Sequence, residues 1–176
     1  MWNSLLDSRA LDTSSLSDCT VGVFCGIMNH DMLEVRNETG APFSLNSTTG
    51  SVAGIVSHVF GFTGPSLDVN TFCSSGLVCL QLAHEALQSG TCDVAIVAAA
   101  NWAGGLNNFR RMGALHALSP TGIADCFGTH PNGYVRGEGM VCMVMMGLEK
   151  VGSDCNLRAI LEAARSCAVF CHPILV

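Results

Sequence analysis

Two periods of apolar residues run along this chain, and the changes between them mark its elements. "TVGVFCG" (20–26) is β-branched and apolar and ends in glycine, which predicts a buried strand. Residues 29–46 are polar and irregular. "STTGSVAGIVSHVFGF" then opens with Ser and Thr capping candidates and sets Val52, Ile55, Val56 and Val59 at helical spacing. Gly50 and Gly54 weaken that helix intrinsically and suit a site where another backbone packs close. Gly64-Pro65 breaks the chain, and "SLDVN" (66–70) reads as a short strand. From Ser74 the period returns to 3.6. Leu77, Val78, Leu80, Ala83, Ala86 and Leu87 form a predicted stripe, which Gly90 ends. "DVAIVAAA" (93–100) is a continuous apolar run, as expected of a strand buried on both faces. Strand, helix, strand, helix, strand is the pattern of an α/β fold with a parallel sheet and flanking helices.

The second half is looser. "NNFRRMG" predicts a short helix, "ALSPTGIADCFGTHPNGYVRGEG" a long loop punctuated by Gly and Pro, and "MVCMVMMGLE" (140–149) a strand rich in methionine. "LRAILEAARS" fits strand or helix, because Leu157, Ile160, Leu161 and Ala164 also keep helical spacing. No internal repeat or low-complexity segment is visible.

Composition refines this picture. The chain has 176 residues, 49% hydrophobic and only 12% charged. So little charge implies that the natural object buries more surface than this chain hides alone, through a partner or a further segment. Net charge is −6 without a Lys/Arg cluster, which argues against an electrostatic nucleic-acid footprint. No signal peptide is visible, and the uncharged apolar stretch 94–109 is too short and too rich in Asn and Gly to span a bilayer. A soluble, cytoplasmic protein without a membrane span is expected. The 10 cysteines include no C-x-x-C pair, and most read as small buried hydrophobes in a reducing compartment. Cys167, Cys171 and His172 near the end are too few to argue a metal site, and no metal or cofactor is expected.

One thiol is placed differently. Cys73 falls where the strand "SLDVN" ends and the next helix begins. A helix start leaves N–H groups unpaired and carries partial positive charge, so a thiolate is favoured there over a thiol. The same N–H groups can stabilise the oxyanion formed when sulfur attacks a carbonyl. Ser74, Ser75 and Gly76 keep the approach open. A cysteine that merely fills a strand–helix turn satisfies the pattern equally well. The hydrolase elbow does not fit, because Thr71 and Ser75 stand where that motif needs glycine.

Several stretches in order resemble the β-ketoacyl synthases, the condensing enzymes of fatty-acid and polyketide assembly. "GPSLDVNTFCSSGLVCLQLAHEALQSGTCDVAIV" is similar to their active-site segment, usually Asp-Thr-Ala-Cys-Ser-Ser-Ser. "TVGVFCG", "GALHALSPTG" and "NGYVRGEGMVCMVMM" match in the same order, and "LLDSRALDTSSLSD" is similar to the helix end before the first strand. The likeness runs from about residue 4 to about 164, closest to the polyketide-synthase branch, and residues 165–176 form a divergent tail. Asn70 and Phe72 depart from the usual Asp and Ala, Gly76 from a Ser, and "GTHPN" from an acidic run. Phe72 is bulky beside the sulfur and would narrow an acyl pocket.

The resemblance implies a thiolase-like α/β fold, present here as an incomplete N-terminal half (1–164) with a mostly parallel sheet. It implies Cys73 as the catalytic nucleophile, which takes an acyl group from a carrier-bound thioester. It further implies an acyl-carrier protein, acyl and malonyl thioesters, and a homodimer in the complete protein, with no cofactor. The family's two catalytic histidines lie in Gly-Thr-Gly-Thr and Asn-Ala-His contexts, beyond the last residue here, and the first strand of the fold is expected ahead of Met1. Complete condensation by this piece is therefore not expected. His84, eleven positions along one helix from Cys73, lies about 16 Å away and cannot replace them. His58, His116 and His130 are read as packing or surface residues, and Arg136 and Glu138 as an ion pair or backbone ties in preference to a substrate role. A different class of reading is a non-catalytic remnant or interaction module that keeps the fold.

Overall fold

The computed structural model describes residues 18–28, 35–37, 39–40, 52–151 and 156–165. Its centre is β1 (Val21–Gly26), whose six residues are all buried. β1 pairs in parallel with β2 (Ser66–Val69) on one side and β3 (Val94–Asn101) on the other; β4 (Gly139–Met146) runs antiparallel beside β3. The order is β2-β1-β3-β4. The β-branched run of β1 is buried throughout because helices cover both faces of a central strand.

Successive side chains of β1 serve opposite layers. Val23 and Cys25 pack with Ala53 and Val56 of α1 (Val52–Phe60). Phe24 packs with Cys79 and Ala83 of α2 (Ser75–Gln88), together with Ala95 and Val97 of β3. Val21 joins Val94 and Ile96 in a third cluster that includes Cys142, Val144 and Met146.

The first turn of α1 is capped from a distance. The Asp68 carboxylate of β2 accepts the Val52 and Ala53 amides at 2.9 and 2.8 Å. The Ser/Thr candidates at 47–49, like Gly50, lie outside the described residues. A β-carbon at Gly54 would meet open space, so the close backbone approach expected there does not occur.

α2 sits rotated from the stripe expected of it. Leu77 is 73% exposed, and the buried line is Ser75, Cys79 and Ala83. Small residues four apart let the helix lie close on the sheet; a β-carbon on Gly76 would stand 3.2 Å from Ala99 Cβ. The helix ends as expected: Gly90 at φ 72° lets its own amide reach the Leu87 carbonyl and that of Thr91 reach Ala86.

α3 (Leu106–Ala114) follows β3 and leads into the long loop. That loop is pinned at its base, where Ser119 N donates to Tyr134 O and Tyr134 N to Ala117 O. Gly133, at φ 124°, allows this, because a β-carbon there would fall 2.5 Å from Leu118 C. Gly137 and Gly139 have open space around them and are not close-approach glycines. Met145 and Met146 pack as core filler, whereas Met143 is 39% exposed. Residues 156–165 adopt neither helix nor strand. Among the described residues no helix is long and apolar enough to cross a membrane.

Candidate active site

The parallel strands β1, β2 and β3 all point their C-terminal ends at one edge of the sheet, where open α/β sheets place their ligand crevices. A cavity of about 620 Å³ opens there, and its wall includes Gly26, Ala99, Asn101, Asn108, Tyr134 and Cys73. Cys73 is exposed, four residues past the end of β2 and two before the first residue of α2. The position expected at the strand–helix joint is the one observed.

The joint is locked by hydrogen bonds. Ser75, 5% exposed, donates its hydroxyl to Phe72 O at 2.6 Å and accepts the Thr71 amide at 2.9 Å. The Ser75 amide also reaches Phe72 O, at 3.1 Å. Ser74, at the helix N-cap, turns its hydroxyl to Thr71 O (2.7 Å) and Thr71 Oγ1 (2.9 Å) and makes no capping bond. Asn70 Oδ1 accepts the Phe72 amide at 3.2 Å, so the departure from Asp still supplies an Asx-type turn. These bonds hold Phe72 at φ 56°, a left-handed conformation that costs a bulky residue about 1–2 kcal/mol. Its ring stays 75% exposed at the cavity.

At the start of α2 the Ser75 and Val78 amides are taken by Phe72 O and Ser74 O. Among the described residues no acceptor takes those of Gly76 and Leu77, the orphan donors that a helix start leaves. Their placement depends on glycine at the end of β1. A β-carbon on Gly26 would lie 2.8 Å from Gly76 N and 3.0 Å from Ser75 C.

Cys25, Cys79 and Cys92 are buried, as expected of core thiols. Burial, with the charge of Asp68 next, pushes the Cys25 thiol up to about 12 and that of Cys79 to about 11. Burial also raises Cys92. Cys126 is exposed like Cys73, while Cys155, Cys167, Cys171 and His172 lie outside the described residues. No described histidine lines the cavity. Of the expected Arg136–Glu138 pair, Glu138 ties to backbone instead, accepting the Ala103 amide at 2.7 Å. The Arg136 guanidinium stacks on the Phe109 ring, 4.5 Å from its centroid. Asn101 and Asn108 were missed in the sequence; a polar residue closing the apolar run of β3 was the available signal.

A mixed, mostly parallel sheet with flanking helices is the thiolase-like fold of ketosynthase domains. The model of the β-ketoacyl synthase N-terminal domain matches residues 1–151, and the chain belongs to that family. It is 36% identical over 163 residues to a reducing polyketide synthase of Aspergillus oryzae, covering 88% of this chain and 7% of that protein. It is 40% identical over 136 residues to a non-reducing polyketide synthase of Penicillium brasilianum, covering 76% of this chain and 6% of that protein. The oxazolomycin ketosynthase domain of Streptomyces albus superposes with a TM-score of 0.74 at 31% identity, over 84% of this chain and 27% of that one. A ketosynthase of the bacillaene synthase from Bacillus subtilis gives 0.68 at 26% identity, over 81% and 24%. The chain thus spans a small part of its curated relatives and about a quarter of the solved domains.

Proposed function

We propose that this chain is the acyl-accepting part of a polyketide-synthase ketosynthase, residues 1–164 forming that part and Cys73 acting as its nucleophile. The reading is carried by one observation: the one cysteine among the described residues of the cavity wall stands at a hydrogen-bonded turn directly ahead of the first turn of α2. The Cys73 thiolate attacks the carbonyl carbon of an acyl thioester, and the carbonyl π electrons move onto oxygen. The free N–H groups of the first turn stabilise that oxyanion. Collapse re-forms the carbonyl, and the C–S bond to the carrier breaks. The carrier sulfur leaves as a thiolate that takes a proton from solvent, and the acyl group stays on Cys73. The natural donor on this reading is an acyl-carrier protein, the second substrate a malonyl-type thioester, and the complete protein a homodimer.

Carbon–carbon bond formation is not assigned to this chain alone, since no described histidine reaches the cavity. That fact also favours a second reading, a fold kept as an interaction module without chemistry. Incubation with a simple acyl thioester, followed by peptide mapping, separates the two. An acyl adduct on Cys73 ahead of Cys126, with Cys25, Cys79 and Cys92 unmodified, supports the nucleophile. An intact fold with no Cys73 adduct, or equal labelling of all ten cysteines by limiting iodoacetamide, overturns it.

A further inference from the structure

Phe72 keeps a costly conformation without a return in packing. Its backbone stands at φ 56°, held by Asn70 Oδ1 on its amide and by the Ser75 hydroxyl and amide on its carbonyl. Glycine or asparagine fills such a position with less strain. A bulky apolar residue offsets that cost when its side chain is buried, yet Phe72 is 75% exposed. It lies instead on the wall of the cavity, one residue ahead of the sulfur. Adjacent α-carbons are about 3.8 Å apart, so a group joined to Cys73 comes within reach of the ring. The neighbouring wall is of the same character. Tyr134 is held by backbone bonds to Ala117 and Ser119, and Met28, Met112 and Met140 bring thioethers. Aromatic rings and methionine sulfur both favour contact with a π surface. Backbone strain kept at a reactive cavity points from the outlier to a function.

We propose that Phe72 is a specificity-determining residue, whose ring stacks on the acyl group delivered to Cys73 and favours planar acyl groups, conjugated or aromatic, over saturated puckered ones. The proposal rests on the reading of Cys73 as acyl acceptor and names the substrate class of that site. A flat group meets the ring in offset or edge contact and reaches the methionines at its own rim, a gain of about twofold to tenfold. A puckered group of the same size brings fewer atoms to the ring face.

The test uses two alkylating reagents with one reactive head, N-benzyl iodoacetamide and N-(cyclohexylmethyl) iodoacetamide. Cyclohexyl is the more hydrophobic group, so burial alone would favour it, whereas stacking favours benzyl. Glutathione in the same solution is the reference thiol, because Cys126 has an exposed phenyl ring beside it in Phe127. Peptide mapping reads the rate at Cys73. Its benzyl-to-cyclohexylmethyl ratio should exceed that of glutathione by about twofold to tenfold. F72L, apolar without a π face, should bring the ratio down to that of glutathione or below. F72Y should keep it. A variant that merely misplaces the sulfur slows both reagents and leaves the ratio where it was, so the ratio separates stacking from a structural role. Should F72L fail to fold, the parent and F72Y decide. A parent ratio equal to that of glutathione, or one that F72L leaves unchanged, overturns the proposal. Acyl transfer to Cys73 with equal ratios counts against the proposal alone. A benzyl preference that F72L abolishes, with no acyl transfer from a simple thioester, counts against the nucleophile reading alone.

Discussion

Gly26→Ala is the sharpest perturbation of the site, because it changes no functional group and touches only backbone. The added methyl carbon would lie 2.8 Å from Gly76 N and 3.0 Å from Gly76 Cα and Ser75 C. Ordinary van der Waals contact begins near 3.4 Å, so the first turn of α2 must retreat by about half an ångström. The atoms in the way are main chain on a helix fixed by Cys79 and Ala83 in the core, so no flexible side chain can yield. Overpacking of this kind costs about 1–3 kcal/mol. For a chain of this length that is a fall in Tm of about 2–12 °C. The same shift carries Ser75 and the free Gly76 and Leu77 amides away from the cysteine turn. Displacements near 1 Å cost up to about a hundredfold in reactions that depend on alignment, so a loss of about tenfold is expected here. Thermal melts and the rate of acyl transfer to Cys73 measure the two effects separately. Gly76→Ala is the milder comparison: its β-carbon would stand 3.2 Å from Ala99 Cβ, a tight contact with one side-chain methyl rather than with main chain, so its cost should be smaller than that of Gly26→Ala. If Gly26→Ala melts with the parent and Cys73 reacts at the parent rate, the close contact does not position the site.

Two further outcomes follow from the same geometry. Phe72→Gly removes the left-handed strain and loses little burial, so its stability should stay within about 1 kcal/mol of the parent, whereas Phe72→Val should cost more than that; urea unfolding decides, and the reverse order refutes the strain. The Lys150 ammonium, then the Thr20 amide, hold the Asp93 carboxyl below its ordinary 3.8, and Lys150 is raised above 10.5 by its bond to Asp93. The pair's contribution is therefore full between those values, lost as pH falls through the depressed Asp93 value and lost again as pH rises through the elevated Lys150 value. Melts of D93N against pH at low salt should lack both flanks, and an unchanged profile would remove the pair from the account.

Much of the architecture was legible along the chain. The apolar runs at 20–26 and 93–100 became β1 and β3 and the short stretch 66–70 became β2, each within a residue or so, and Gly90 stopped α2 where a left-handed glycine was expected. Periodicity reports which residues are apolar, and strands between two layers are apolar on both faces, so they announce themselves. The position of Cys73 at the strand–helix joint was legible for the same reason. What hydropathy cannot report is how closely two elements approach, and there the reading of α2 went astray. Leu77 and Leu80 were taken for its inner face, while the residues that touch the sheet are small ones, Ser75, Cys79 and Ala83.

The amino-acid order by itself therefore determined the alternation of strands and helices, the burial of Cys25, Cys79 and Cys92 and the place of the thiol exposed at a helix start. Those are local properties, set by period, size and backbone preference. Only the tertiary structure decided that Asp68 caps α1, that Gly26 clears the path of α2, and that Arg136, 63 residues beyond Cys73, shares its cavity. Each depends on distances between segments remote in the chain, which follow from sheet order and register and leave no trace in the spacing of residues along one element.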